Sequence, residues 1–353
     1  MNGRSWLVVI LMLLAIGCSS NEEIEVGSGS ENQGAGGEQA GTGGSNDGQI
    51  VIVSEINGGG DQDIGYKATV DSLKAHPNLR AVFAINDPSA LGAWQAISEA
   101  EKTDVIKIVG FDGEKAGKQA ILDGKIYADP IQFPKQMGVE IMKKILAFQA
   151  GEDYEKLELI PTSLYKKADA EKDPELQADA PTETIAEIVE QKGVIGYSAM
   201  MLKNPFFVVI RDSLTVEGSK NGYKVITTDA ASQVDLQANQ VENFISQGVD
   251  AIVLNPTDRL AIGSAIKKAN DAGIPVFTCD LQCVAEGIEI AGHIGTDNFQ
   301  GGELAGQAMV ELLGEEGGEV LVLDFKQANS CVLRVDGFKK VIDAHNKRLK
   351  AGK

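Results

Sequence analysis

Polar side chains that could bind a small molecule follow five of the chain's predicted strands. Each is a carboxylate or a carboxamide placed just after a short apolar run: Asn86, Asp112, Gln132, Asn255 and Asp280. Side chains of these types offer hydrogen-bond acceptors and donors in pairs, which suits the neighbouring hydroxyl groups of a polyhydroxyl ligand. Asn and Asp are also common in turns and at helix N-termini, so any one of them alone is equally typical of local structure. Five in the same position relative to a strand favour a binding pocket.

An aromatic pair and one arginine extend this predicted site. Phe206 and Phe207 come shortly after a predicted strand and directly follow an Asn-Pro pair that begins at Asn204. The C–H faces of a sugar pack on aromatic rings, although ordinary core packing explains such a pair equally well. Arg334 lies within an apolar amphipathic stretch, where an arginine more commonly extends its charged end to solvent.

The elements that must position these residues are short β-branched runs that alternate with helical patterns. Strands are predicted at 50–53, 81–84, 105–109, 125–128, 194–197, 223–226, 251–254, 275–278 and 320–323, and helices at 65–75 and 261–272 among others. Such alternation predicts parallel sheets covered by helices on both faces. The fold class is therefore α/β, with two Rossmann-like lobes. Ligands of such sheets bind beyond the carboxyl ends of the strands, which is where the polar residues fall.

Composition excludes one class of partner. The chain has 353 residues, a formal net charge of −19 and 24% charged residues. That length is enough for two domains with real hydrophobic cores. A surface this negative repels phosphate backbones, so we expect no nucleic acid partner.

Residues 1–18 are predicted to be a lipoprotein signal. Arg4 precedes an apolar run at 6–16 that is too short to span a bilayer comfortably. The run leads into small residues and Cys18, which resembles the lipobox of bacterial lipoproteins, although the usual leucine three positions before the cysteine is missing. A plain secretory signal with an incidental cysteine is the alternative. Residues 19–48 are rich in Gly, Ser, Asn, Gln and Glu and are predicted to be a flexible tether. We therefore expect an exported protein of the periplasm or cell surface, anchored to a membrane by a lipid on Cys18.

From Gln49 to His345 the sequence resembles the ribose-binding type of periplasmic solute-binding protein. Four strings carry the resemblance: Asn-Pro-Phe-Phe at 204–207, Leu-Asn-Pro-Thr-Asp at 254–258, Phe-Ala-Ile-Asn-Asp at 83–87 and Val-Gly-Phe-Asp-Gly at 109–113. The order of the halves is exchanged, because the segment that resembles 194–346 comes first in the family and the one that resembles 50–165 follows. The resemblance therefore implies a circular permutant in which a linker at 166–192 joins the family's usual termini.

The resemblance also implies how the chain divides into lobes. One lobe comprises 49–132 plus 295–353 and contributes Asn86, Asp112 and Arg334, with Gln132 near the hinge. The other comprises 133–165 plus 193–294 and contributes Asn204, Phe206, Phe207, Asn255 and Asp280. Three hinge crossings are expected near 292–297, near Gln132 and near 163–165, where the lobes would close on a ligand.

The implied function is to bind a monosaccharide or similar polyol and deliver it to the permease of an ABC-type sugar importer. A chemoreceptor or a histidine kinase is the alternative partner. We expect a monomer that is not an enzyme and that needs no cofactor. A nicotinamide-dependent enzyme is a remote alternative, because Gly-Gly-Gly at 58–60 does not fit the dinucleotide fingerprint and the nearby Asp61 and Asp63 would repel a pyrophosphate.

Two departures from the family leave the sugar open. The ribose binder has an arginine directly after the aspartate matched by Asp280, where this chain has Leu281. It also has an aromatic residue where this chain runs through Gly-Gly-Gly-Asp at 58–61. Both changes alter which hydroxyl groups can be paired, so the ligand need not be ribose.

The remaining cysteines raise the question of a disulfide. An exported protein can form one, and Cys283 with Cys331 is the pair that we would test, whereas Cys279 is interpreted as a small buried apolar residue. No metal site is predicted, since the three histidines lack ligand spacing with these cysteines.

Overall fold

Two six-stranded sheets organise the part of the chain that the structure, a computed structural model, describes: residues 48–177, 188 and 190–352. The predicted signal at 1–18, Cys18 and nearly all of the predicted tether at 19–48 lie outside the described residues. In chain order the elements are β1 (Ile50–Asn57), α1 (Gln62–Ala75), β2 (Leu79–Ala84), α2 (Asp87–Glu99), β3 (Lys107–Val109), α3 (Lys115–Leu122), β4 (Ala128–Ile131), α4 (Pro134–Ala150), β5 (Leu157–Ile160), β6 (Ser163–Lys166), α5 (Lys167–Ala170), α6 (Pro174–Gln177), β7 (Gly193–Ala199), α7 (Pro205–Lys220), β8 (Tyr223–Asp229), α8 (Val234–Gln247), β9 (Ala251–Leu254), α9 (Gly263–Asp271), β10 (Val276–Cys279), β11 (Gly292–Thr296), α10 (Asn298–Leu313), β12 (Gly318–Asp324) and α11 (Asn329–Ala351).

Each sheet contains six strands. The first reads β1-β12-β2-β3-β4-β6 and the second reads β8-β7-β9-β10-β11-β5. All pairs are parallel except β4 with β6, which run antiparallel. Register is fixed by buried apolar residues, for example Phe83 of β2 opposite Val322 on one side and Val109 on the other. The predicted α/β fold class with two parallel-rich sheets is confirmed.

The central strands are apolar along their whole length because helices cover both faces of each sheet. In β9 and β10 every residue is buried. One apolar cluster contains residues of both sheets and of α10 and α11, whereas a second packs α2 and α3 on the first sheet and a third packs α8 and α9 on the second. The sheets are thus held rigidly, and their carboxyl ends face the same cleft.

All nine predicted strands exist, but one is displaced and three were missed. The strand predicted at 125–128 begins only at Ala128 and continues to Ile131. The missed strands β5, β6 and β11 lie where the chain passes between the sheets, and charged residues, a histidine or glycines interrupt the apolar run that marks a central strand.

Two boundaries of the predicted lobes are also corrected. Residues 163–165 belong to β6, which pairs with β4 and completes the first sheet, although the prediction assigned them to the other lobe. Gly295 and Thr296 pair with β5 in the second sheet, although the prediction assigned them to the first lobe. Pairing with β4 starts β6 three residues before the expected crossing, and pairing with β5 extends β11 two residues past the expected crossing. The predicted linker at 166–192 begins with the end of β6 and the short helices α5 and α6, and 178–187 and 189 lie outside the described residues.

Candidate functional site

The carboxyl ends of strands from both sheets surround a cavity. Eight of the nine residues predicted to bind ligand line it: Asn86, Asp112, Gln132, Asn204, Phe206, Phe207, Asp280 and Arg334. Residues far apart in sequence therefore meet in one place, as expected for parallel sheets.

The two asparagines at the cleft also cap helices. The Asn86 side chain accepts a hydrogen bond from the Ser89 N–H at the start of α2, and its Nδ2 donates to the Gly60 carbonyl. The Asn204 side chain accepts from the Phe206 N–H at the start of α7. Both asparagines therefore cap a helix and line the pocket at once, because a helix that starts after a strand has its N-terminal residue at the crevice.

Arg334 is the centre of a buried polar network rather than a surface side chain. Its Nη1 donates to the Asp112 carboxylate at 2.7 Å and to the Ile85 carbonyl at 2.6 Å, and its Nε donates to Asn298 at 2.8 Å. The guanidinium carbon lies 3.9 Å from the centre of the Phe111 ring. Such pairing is required for a buried cation, and it fixes the guanidinium at the wall of the cavity.

Gln132 joins Asp112 to the chain crossing that follows β11. Its Nε2 donates to the Asp112 carboxylate, and its Oε1 accepts a hydrogen bond of 2.6 Å from the Thr296 hydroxyl. Asp112 itself has a φ of 104°, a left-handed value that is costly for a residue other than glycine. Burial raises the pKa of Asp112, although the nearby Arg334 opposes the rise.

Asp280 lies at the cavity wall with one carboxylate oxygen that has no hydrogen-bond partner among the described residues. It follows β10 with a φ of 61°, and the Leu281 N–H donates to the Cys279 carbonyl at 2.7 Å, which forms a tight turn with Asp280 at its centre. Its side chain is buried, and Oδ1 has no hydrogen-bond partner among the described residues. Burial raises the pKa of Asp280 to about 7, although the positive charge of Arg334 opposes the rise, and the negative charge of Asp112 adds to it. A buried acceptor left unpaired in a strained turn is typical of a site that a ligand completes.

Further acids lie close to Asp112. The Asp87 carboxylate accepts a 2.7 Å hydrogen bond from the Glu114 N–H, and burial together with the charge of Asp129 raises the pKa of Asp87 well above its ordinary value. Burial raises the pKa of Asp129 to about 6 and, together with the Asp112 charge, that of Glu114 to about 8. This side of the cleft is therefore rich in acids, but the raised pKa values of Asp87 and Glu114 favour their protonated, neutral forms near neutral pH.

Comparison with known proteins identifies the family to which this arrangement belongs. A family model described as "Periplasmic binding protein domain" matches residues 30–153 and 195–353. The chain belongs to this family. Its architecture is thus that of a periplasmic binding protein, and the family is one of binding proteins rather than of enzymes.

Among curated relatives, this periplasmic binding protein is 39% identical over 150 residues to a ribose import binding protein of Bacillus subtilis (strain 168), covering 42% of this chain and 48% of the relative. It is 33% identical over 171 residues to a ribose import binding protein of Escherichia coli (strain K12), covering 48% and 57%. A D-apiose import binding protein of Paraburkholderia graminis is 34% identical over 140 residues, covering 40% and 45%. The chain spans about half the length of the curated relatives it matches.

Asn255 is the one predicted ligand residue of this periplasmic binding protein that does not line the cavity. It is fully buried, its carboxamide accepts a hydrogen bond from the Tyr197 hydroxyl, and its Nδ2 donates to the Cys279 carbonyl. With both ends of the carboxamide used inside the lobe, Asn255 positions the turn that carries Asp280. The rule that places ligand residues after strands cannot separate these two roles.

The sequence argument also missed part of the lining. Met200, Met201 and Phe325 line the cavity because β7 and β12 extend beyond the apolar runs that predicted them, so these residues are the first to follow each strand. Ser330 and Cys331 line it from the first turn of α11, one helical turn before Arg334. The same rule, applied with the true strand ends, would have found the first three.

The cysteines considered for a disulfide are free in this structure. Cys331 lines the cavity within the apolar cluster that both sheets share, whereas Cys283 packs against the cluster that α8 and α9 form on the second sheet. Cys279 is also free and fully buried at the end of β10. Cys283 and Cys331 are thus not bonded to each other in this structure, and their pairing in an oxidising compartment stays a prediction.

The lobes touch across the mouth of the cleft. Lys203, which precedes α7, forms an ion pair of 3.1 Å with Asp61, which caps α1. Elsewhere along the cleft the Arg259 N–H donates to the Gln327 carbonyl at 3.1 Å. These contacts join the two sheets' loops and describe a closed arrangement.

Among the residues that the structure describes, no helix is long and apolar enough to cross a membrane.

Proposed function

We propose that this cleft binds a monosaccharide or a similar polyol, and that the protein delivers it to an ABC-type sugar importer. The observation that carries the proposal is the convergence of carboxamide, carboxylate, guanidinium and aromatic side chains from both sheets on one cavity. The polar edges suit vicinal hydroxyl groups, and Phe206 and Phe207 offer ring faces to the C–H face of a sugar. Import binding proteins for ribose and D-apiose among the relatives support the same class of ligand.

The test is thermal denaturation of the full chain with a panel of pentoses, hexoses and polyols. A ligand at a hundredfold excess over its dissociation constant stabilises the folded state by about 2.7 kcal/mol. The variant Asp280→Ala should lose this shift, while Glu286→Gln, which removes an exposed acid of the same lobe, should keep it. No stabilisation by any member of the panel would reject the proposal.

We propose that closure uses three chain crossings as hinges. Among the described residues, the chain passes between the sheets after β11, after β4 and between β5 and β6. The Thr296–Gln132 hydrogen bond joins the first two crossings, and the Thr162 N–H donates to Gln300 at 3.0 Å beside the third. Rotation at a few such segments would open the cleft without disturbing either sheet.

We further propose that the chain is a circular permutant of its family. Counted from β7 to the C-terminus and then on from β1, both sheets have the strand order 2-1-3-4-5-6. The end of α11 lies beside the start of β1, where Asn346 exchanges hydrogen bonds of 3.0 and 2.7 Å with the backbone of Ile50. These contacts support an ancestral connection from α11 into β1. A rearranged chain that runs from Lys192 to Gly352, through a short glycine-serine linker to Gly48 and on to Gln177 should fold and keep its ligand response. Failure of that chain to fold would contradict the proposal.

We propose that the protein is exported and held at a membrane by a lipid on Cys18. The apolar run and small residues before Cys18 support this, as does membership of the periplasmic binding protein family. The variant Cys18→Ala should appear in the soluble fraction after osmotic shock, whereas the parent chain should partition into detergent. Equal partitioning of both would reject the anchor.

A further inference from the structure

The charges around the cavity do not balance. Among the described residues that line it, Asp112 and Asp280 are acids and Arg334 is the one cation. Arg334 is already committed to Asp112 at 2.7 Å, and the residue beside Asp280 in the chain is the apolar Leu281. The cleft therefore holds one carboxylate with no cation of its own.

Buried acids lie beside the cavity on the side of Asp112, but they do not each add a full negative charge. Burial raises the pKa values of Asp87 and Asp129, and a side-chain hydrogen bond between the two carboxyl groups favours a proton on Asp87. The nearest lysine at the mouth, Lys203, is engaged with Asp61. A buried carboxylate without a paired cation is unfavourable, so it either binds a proton or favours a ligand that supplies the missing positive charge.

We infer that the preferred ligand carries one positive charge, and that it is an amino sugar or an amino polyol whose ammonium group lies against Asp280. The unpaired Oδ1 of Asp280 is buried at the cavity wall and can accept from an N–H donor. The Arg334–Asp112 pair and the asparagines then bind hydroxyl groups of the same ligand. Charge-assisted hydrogen bonds are roughly twice as strong as neutral ones, which makes the nitrogen the discriminating atom. This inference rests on the proposed sugar site and narrows its ligand class.

The test is isothermal titration calorimetry of the full chain at neutral pH with matched pairs of ligands. D-glucosamine, D-galactosamine and D-mannosamine are compared with D-glucose, D-galactose and D-mannose, and 1-amino-1-deoxysorbitol with sorbitol. At least one amino compound should bind about tenfold more tightly than its neutral parent, which corresponds to about 1.4 kcal/mol. Binding of neutral sugars with no amino compound favoured would overturn the inference and leave the proposed function standing. No binding by either class would overturn both.

Three variants separate a specific charge contact from the acidity of the whole protein. In Asp280→Asn the amino compound and its neutral parent should bind with about equal affinity. Leu281→Arg, which places a cation beside Asp280, should reverse the preference. Glu286→Gln removes one exposed negative charge from the same lobe and should leave the preference unchanged. The unliganded melting temperature of each variant shows that it is folded, and a preference that survives in folded Asp280→Asn would contradict the inference.

Discussion

The variant Arg334→Met tests whether the buried ion pair organises the cleft. Methionine retains an unbranched apolar side chain of similar length, but it removes the 2.7 Å pair with Asp112, the 2.8 Å bond to Asn298 and the 2.6 Å bond to the Ile85 carbonyl. Asp112 would then be a buried carboxylate whose remaining side-chain donor is Gln132. Loss of one partner from a buried pair costs about 3–5 kcal/mol, because the other charge stays buried. We expect the free energy of unfolding, measured with urea at neutral pH, to fall by that amount.

The double variant Arg334→Met with Asp112→Asn separates the lost pair from the orphaned charge. Asparagine cannot ionise, so the double variant should be more stable than Arg334→Met alone, although it should still not bind sugar. Lowering the pH should likewise stabilise the single variant, because a carboxyl with a raised pKa binds a proton more readily in the folded chain than in the unfolded chain. A loss below about 1 kcal/mol in Arg334→Met, or a double variant less stable than it, would refute the reasoning.

Three further predictions concern the cleft mouth, the aromatic face and pH. Lys203→Gln removes an exposed ion pair with Asp61, so titrations at two salt concentrations should show ligand affinity reduced by less than about tenfold at low salt and unchanged at high salt. Phe207→Leu keeps apolar bulk but removes a ring face, so calorimetry should show sugar affinity reduced about three- to tenfold; unchanged affinity would place the sugar elsewhere. Because burial raises the pKa of Asp280 from 3.8 to about 7 and that of Glu114 from 4.5 to about 8, these two carboxyl groups bind more protons in the folded chain than in the unfolded chain between these limits, and together they outweigh His293, whose pKa burial lowers from 6.5 to about 3. The free energy of unfolding should therefore fall as pH rises from about 4 to about 8, with a shallower slope in Asp280→Asn; a rise over this interval would refute the assignment.

The sheets were predictable because their central strands are buried on both faces. Runs such as Ala251–Leu254 are apolar throughout and bounded by turn residues, which identifies a strand in a parallel sheet without further information. The strands next to the chain crossings, β5, β6 and β11, were not predictable in the same way. Gly292–Thr296 contains two glycines and a histidine, and its strand conformation comes from pairing with β10 and β5 rather than from its own pattern.

The site was predictable to the extent that position after a strand decides which side chains face the cleft. That rule placed Asp112 and Asp280 correctly at the cavity, but it also selected Asn255, whose carboxamide is used inside the lobe. The difference depends on which neighbour a polar group meets, and a tyrosine hydroxyl from β7 is not visible in the local sequence. The partner of Arg334 was equally hidden, because Asp112 lies 222 positions away in the chain.

The proposed exchange of chain order is compatible with this cleft, because the cleft lies at the carboxyl ends of the strands whereas the chain is cut and rejoined near their amino ends. The cavity is built from residues that follow the carboxyl ends of strands, including Asp280 after β10 and Phe325 after β12. The reconnected points lie at the other edge: Ile50 begins β1, Gly193 begins β7, and Lys166 of the antiparallel strand β6 pairs with Ala128 at the start of β4. Joining or cutting the chain there changes no residue that lines the cavity. In a parallel sheet the ligand binds at the carboxyl ends of the strands, whereas each strand starts at the opposite end. The binding residues and the chain order can therefore change independently.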